Sequence, residues 1–230
     1  MDVEFRVTGR QPELWEPLTG DIRLLPAFTP GPKSTVVPIR LQKGECVFVV
    51  FRNPGEPTGS GIEANYPAPL QVQEISTPWD VSFESAFRTP RPIRLTSLEN
   101  LSENAADSVR YFSGTATYRT RVNLKKAPKG ERQMLTFDKV GTMGKVYVNG
   151  KYAGGVWTTP YRVDVTGLIR NGENDIRVEV VNTWVNRIVG DLNLPREEQQ
   201  VYLFVNPHRA DSPLPPSGLI GSARVENVKY

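Results

Sequence analysis

This 230-residue chain is poor in the residues that most often carry chemistry. It has one cysteine, Cys46, and one histidine, His208. A single cysteine cannot close an internal disulfide, and within the run CVFVVF it reads as a small buried hydrophobe. A single histidine excludes a multi-histidine metal centre and leaves little room for a Ser-His-Asp triad. There is no run of about 18 apolar residues to span a membrane. The first residues, MDVEFRVTGR, lack the basic stretch and apolar core of a signal peptide. No block of like charge occurs: the 28 basic and 25 acidic residues, net +3, are interspersed. That describes a solvated surface and not a nucleic-acid footprint. There is also no internal repeat and no long amphipathic helix.

What is present is punctuation. Twenty prolines and nineteen glycines divide the chain into short alternating segments, which is the pattern of an all-β fold. Residues 1–52 read as about five short strands: VEFRVT, two flanking a turn at Thr19-Gly20, TVVPIRL and CVFVVFR. These are too few to close a sandwich, so this part is expected to be an incomplete β domain, the tail of a larger one. Residues 53–69, NPGEPTGSGIEANYPAP, read as a linker. From residue 70 to 230 a second β domain is expected.

In that second part, LQVQEI and WDVSFE are candidate strands. GTATYRTRVNL alternates with Ala116, Tyr118, Thr120 and Val122 on one face. Asn149-Gly150, between VYV and YAGGVW, is a hairpin signal, because a type I′ turn needs two residues that tolerate positive φ. DIRVEVVNT places Ile176, Val178 and Val180 on the buried face. TWVNRIVGDLNLP reads as a loop, PREEQQ as a short helix opened by Pro195, and VYLFVN and SARVENVKY as the last strands.

The hairpin VYVNGKYAGG followed by TPYRVDVTGLIRNGENDIRVEV resembles the galactose-binding-like jelly-roll β-sandwich of glycoside hydrolase family 2. A wider resemblance rests on FRVTGRQPELWEPLTGDIR, YFSGTATYRT, VNTWVNRIVGDLNLP and ADSPLPPSGLIG. These segments are similar to the C-terminal part of the α-L-rhamnosidases of glycoside hydrolase family 106. The resemblance implies a catalytic (β/α)₈ barrel upstream that holds the catalytic glutamates. No position here then inherits a catalytic role. It also implies a rhamnose-containing glycan as ligand and a periplasmic or extracellular location. Jelly-roll sugar-binding domains often hold a structural calcium. Asp107, Asp164 and Asp191 are nominal donors, but no D-x-D-x-D spacing exists.

Glycoside hydrolysis needs two carboxylates about 5–9.5 Å apart, and no acidic pair here sits in a barrel-strand context. Two segments carry sugar-binding chemistry instead. Trp184, Asn186, Arg187 and Asp191 follow a strand and combine an apolar platform with hydroxyl-bonding groups. The alternative is that Trp184 plugs the sandwich and an Arg187–Asp191 ion pair pins the loop. Trp157, behind two glycines that allow close approach of a backbone or ligand, is the second candidate. Its alternative is packing against Tyr161. Trp79 and Tyr118 read as core. Three functions stay open: accessory region of a glycosidase, free-standing carbohydrate-binding module, or structural domain packed on the barrel.

Overall fold

The computed structural model describes residues 1–229. The described residues form two compact units, 1–71 with 227–229, and 72–226.

The first unit contains β1 (Asp2–Phe5), β2 (Arg10–Trp15), β3 (Ile22–Leu24), β4 (Thr29–Pro30), β5 (Thr35–Pro38), β6 (Phe48–Pro54) and α1 (Gly61–Asn65). They make two three-stranded antiparallel sheets, ordered β1-β5-β4 and β3-β2-β6. Leu14, Leu25, Phe28, Val37 and Ile39 form the core. Glu13 is buried beside them. The Trp15 indole N–H and the Arg52 guanidinium donate to it and hold its carboxyl below the usual carboxylate range. Cys46 departs from the sequence reading. It is exposed, because β6 begins only at Phe48 and the cysteine lies in the irregular stretch before it. Residues 53–69, read from sequence as a linker, fold into this unit through Asn65. Its buried side chain bonds Ala27 N, Ala27 O and Pro38 O, and Tyr66 packs against the core, so a mostly polar sequence is held by backbone partners and one aromatic ring.

The second unit continues with β7 (Gln71–Glu74), β8 (Trp79–Glu84), β9 (Ile93–Leu95), α2 (Asp107–Arg110), β10 (Thr115–Leu124), β11 (Arg132–Gly141), β12 (Met143–Val148), β13 (Lys151–Val156), β14 (Arg162–Asp164), β15 (Gly172–Val181), α3 (Val185–Leu192) and β16 (Gly218–Val228). Six strands pair antiparallel in the order β13-β12-β15-β10-β8-β9, and a second sheet runs β14-β11-β16-β7. One hydrophobic cluster draws residues from both: Trp79, Tyr118, Val146 and Val178 from the larger sheet, Leu135, Val163 and Leu219 from the smaller. That is a sandwich-like, all-β arrangement in which each strand of alternating sequence turns its apolar side inward. Ala116, Tyr118, Thr120 and Val122 are buried, as are Ile176, Val178 and Val180. Burial pushes the Tyr118 hydroxyl far above the ordinary tyrosine range.

The two signature turns are physically one structure. Asn149 and Gly150 both have positive φ, 52° and 79°, as a type I′ turn requires. Asn149 donates to Asn174 Oδ1 at 2.8 Å, and the Asp175 N–H donates back to Asn149. Asn174, fully buried, also bonds Arg170 and Gly172. The V-N-G and G-E-N motifs thus lock the ends of β12 and β15 together, and their residues serve the scaffold.

Two further expectations are corrected. VYLFVN is not a strand: residues 201–206 are irregular, and Tyr202, Phe204 and Val205 are exposed. TWVNRIVGDLNLP is not a loop, because Val185–Leu192 form α3. Ile188 and Val189 bury its apolar side, and Gly190 lets the helix lie directly on Tyr111, where an added Cβ would sit 2.6 Å from the tyrosine Cβ.

Candidate functional site

The sequence-selected residues fall into two separate places. Helix α3 gathers Asn186, Arg187 and Asp191 but buries them, at 1%, 9% and 2% exposure. Arg187 and Asp191 stand one turn apart and form an ion pair. The other carboxylate oxygen of Asp191 accepts the backbone N–H groups of Gln200 at 2.8 Å and Val201 at 2.7 Å. Asn186 donates to Pro215 O, and the Arg187 N–H donates to Ser113 Oγ. These bonds fasten residues 200–201, Pro215 and Ser113 to the helix, while Asn186 Oδ1 and Arg187 Nε are buried without a hydrogen-bond partner. Once the segment is helical, the i, i+4 pair faces inward, away from the solvent-facing position from which it would bond hydroxyls. Trp184, at the helix start, is 58% exposed and meets Phe87 edge to face at 5.6 Å.

Trp157 lies elsewhere, on the outer face of the six-stranded sheet. It is 62% exposed, whereas Tyr161 packs against the core. A β-bulge puts it there. Opposite Val146 and Tyr147 the register shifts, so that Tyr152 pairs with Tyr147 but Gly154 pairs with Val146. The extra residue, Ala153, changes the alternation: Gly154 and Val156 face the core, while Tyr152, Gly155 and Trp157 face out. Gly154 permits this with φ 150° and an approach to Val163 that leaves only 3.2 Å for a Cβ. The close approach foreseen for the glycine pair is therefore to the core side of β14.

Because Gly155 has no side chain, a concavity of about 310 Å³ opens over the strands. Tyr152, Trp157 and Met143 supply apolar walls, and Lys145, Glu179 and Thr115 supply polar groups. The volume is at the small end for ligand sites, which run from about 300 to 1,000 Å³. Glu179 is oriented by the Arg177 guanidinium, which lies 3.8 Å from the centre of the Tyr147 ring. Tyr147 and Tyr152 meet edge to face at 5.5 Å. Sequence reasoning selected Trp157 and missed its companions. Outward positions on alternating strands carry no local signal, and which of them meet depends on register.

Among the described residues, no three His, Cys, Asp or Glu side chains converge as a metal cage would require. Asp164 is taken up by Arg132 and Thr166, Asp107 by Arg110, and Asp191 by α3 and its neighbours. Burial alone would raise the Asp164 carboxyl; the Thr166 and Arg132 hydrogen bonds outweigh it and bring it below the usual range.

Comparison with known proteins gives three findings. Residues 98–204 match the family described as glycosyl hydrolase 2 galactose-binding domain-like. A putative β-glucuronidase of Formosa agariphila is 37% identical over 119 residues, which cover 51% of this chain and 10% of that protein. The solved rhamnosidase of Novosphingobium sp. PP1Y is 36% identical, with a TM-score of 0.84, over 99% of this chain and 21% of that one. The chain thus carries a rhamnosidase-like, galactose-binding-like region, and it spans only about a tenth to a fifth of the length of these relatives.

Proposed function

We propose that this chain is the C-terminal accessory, sugar-binding region of a larger α-L-rhamnosidase-like glycosidase, and that the catalytic carboxylates lie in a barrel outside these residues. In this reading the second unit is a galactose-binding-like jelly roll, and the enzyme works on a rhamnose-containing glycan in the periplasm or outside the cell. No helix of the described residues is long and apolar enough to cross a membrane.

One observation carries the sugar-binding part: the Trp157 concavity. An indole face stacks on the C–H surface of a pyranose ring. Glu179 accepts from hydroxyls while Lys145 and Thr115 donate to them. All of these groups stand on strands, whose positions are fixed before any ligand arrives. The test is calorimetric titration of the chain with rhamnose-containing oligosaccharides. Binding in the millimolar range or tighter, lost in Trp157→Ala while the melting temperature is kept, supports the reading. Wild-type protein that binds no oligosaccharide sinks it.

A second reading, a structural domain that packs on the barrel, is favoured by one feature. Tyr202, Phe204 and Val205 are 81%, 92% and 76% exposed on a segment that Asp191 fastens in place. Exposed apolar groups on a fixed segment are what an interdomain contact uses. Replacing Tyr202 and Phe204 by serine in the full-length protein should then lower its melting temperature while leaving that of this chain unchanged.

A further inference from the structure

The outer face of the six-stranded sheet carries more than the Trp157 concavity. The strand registers align one row of side chains across all six strands. Arg94 of β9 is opposite Asp80 of β8, and Asp80 is opposite Arg119 of β10. Arg119 is opposite Arg177 of β15, Arg177 is opposite Tyr147 of β12, and Tyr147 is opposite Tyr152 of β13. Five strand spacings of about 4.8 Å make the row roughly 24 Å long. Its Tyr152 end opens on the Trp157 concavity. Its other end is a second concavity of about 440 Å³, lined by Asp80, Arg94 and Arg119.

The charges along the row are unequal in their partners. Arg94 pairs with Asp80, and Arg177 pairs with Glu179 while stacking on Tyr147. Arg119 is exposed, and no carboxylate of the described residues pairs with it. It also stands directly opposite Arg177. Like charges at directly opposite positions destabilise a sheet. On its other side Arg119 faces Asp80, which Arg94 already engages, so the Arg119 guanidinium keeps capacity for an external anion. Lys145, at the edge of the Trp157 concavity and opposite Glu179 in register, adds a second cation that forms no ion pair among the described residues. A guanidinium suits a carboxylate borne on a sugar ring, because its fork grips the carboxylate, and the aromatic faces for ring stacking lie farther along the row at Tyr147 and Tyr152.

We infer that this row binds an acidic oligosaccharide laid across the strands, one ring stacked at Trp157 and Tyr152 and a uronate carboxylate held by Arg119 beside Arg177. The inference rests on the sugar-binding reading of the Trp157 concavity and adds the class of sugar.

The experiment titrates the full chain with tetragalacturonate and with its fully methyl-esterified form, which keeps the rings and removes the charges. The acidic form should bind about ten-fold or more tightly at low ionic strength, the gain expected of a charge-assisted contact. Arg119→Gln should bring the two forms together with no change in melting temperature, and Arg119→Lys should keep part of the difference. Trp157→Ala should weaken both forms. Equal binding of the two forms, lost in Trp157→Ala, overturns the acidic-glycan inference and leaves the sugar-binding reading in place. Absence of binding to these forms and to rhamnose-containing oligosaccharides overturns both.

Discussion

Helix α3 and the outer face of the six-stranded sheet use the same kinds of residue for opposite ends. Each has an exposed tryptophan, an arginine and a carboxylate. In α3 the arginine and carboxylate, Arg187 and Asp191, are buried and tied to the backbone of residues 200 and 201. On the sheet, Arg177 and Glu179 are paired but half-buried at the surface, and Arg119 beside them is exposed. A charge that has lost its water must be paired within the protein and can serve only the fold, whereas a charge that keeps its water can exchange it for a ligand. Residue type therefore does not distinguish scaffold from site. The geometry that decides burial does.

The sharpest break between the two regions is expected at Asp191. Asp191→Ala leaves Arg187 buried without its partner and frees two backbone N–H groups, and should cost about 3–5 kcal/mol in denaturant unfolding. Glu179→Ala, the surface counterpart, should cost under about 1 kcal/mol. If the two losses prove similar, the contrast between the regions is wrong.

Next in size is the lock between the signature turns. Asn174→Ala removes the buried amide that accepts from Asn149 and the Arg170 N–H and donates to Arg170 O and Gly172 O, and should cost about 1–3 kcal/mol by thermal melting, with sugar binding retained once the protein is folded. Loss of binding in the folded variant would move this motif from scaffold to site.

Acid should act on the scaffold in the same sense. Asp164 and Asp138 have carboxyls held below the usual range by hydrogen bonds from Thr166 and Arg132, and from Arg224 and Ser222, against burial that acts the other way. A lowered carboxyl stabilises the fold above its unfolded-state value, and this is lost as pH falls through the folded value. The melting temperature should thus fall on acidification below about pH 4. It should fall less steeply in Asp164→Asn, and an unchanged slope would remove this carboxylate from the account.

The smallest stability effect should be at Trp157. Trp157→Ala takes away a largely exposed ring and should change unfolding by no more than about 0.5 kcal/mol. A loss of several times that would show the indole to be packing and not platform.

Much of the fold was legible in short-range pattern. The period-two alternation of residues 115–124 and 172–181, and the Asn149-Gly150 turn, are dictated by sterics within a few residues. Cys46, α3 and the irregular 201–206 segment were not. Each is an apolar or mixed run whose state is decided by what lies next to it. VYLFVN has strand propensity, but it is anchored through its first N–H to Asp191 and not to a strand neighbour. Of the proposed site, Trp157 alone was legible, because a tryptophan behind two glycines is conspicuous. Lys145, Glu179, Arg119 and Tyr152 were silent. Each is an ordinary outward residue of its own strand.

By itself, the sequence determined that this protein is built of short antiparallel strands, which face of each strand goes inward, and that it resembles sugar-handling glycosidase domains. These follow from chain-local sterics and from the burial of alternate apolar residues. Only the tertiary structure decided which outward residues share a row, that a one-residue bulge at Ala153 brings Tyr152, Gly155 and Trp157 to one face, and that Arg187 and Asp191 are buried. Those outcomes depend on strand register and helix packing. They are set by contacts between residues far apart in the chain, where a shift of one residue reverses every side chain's face.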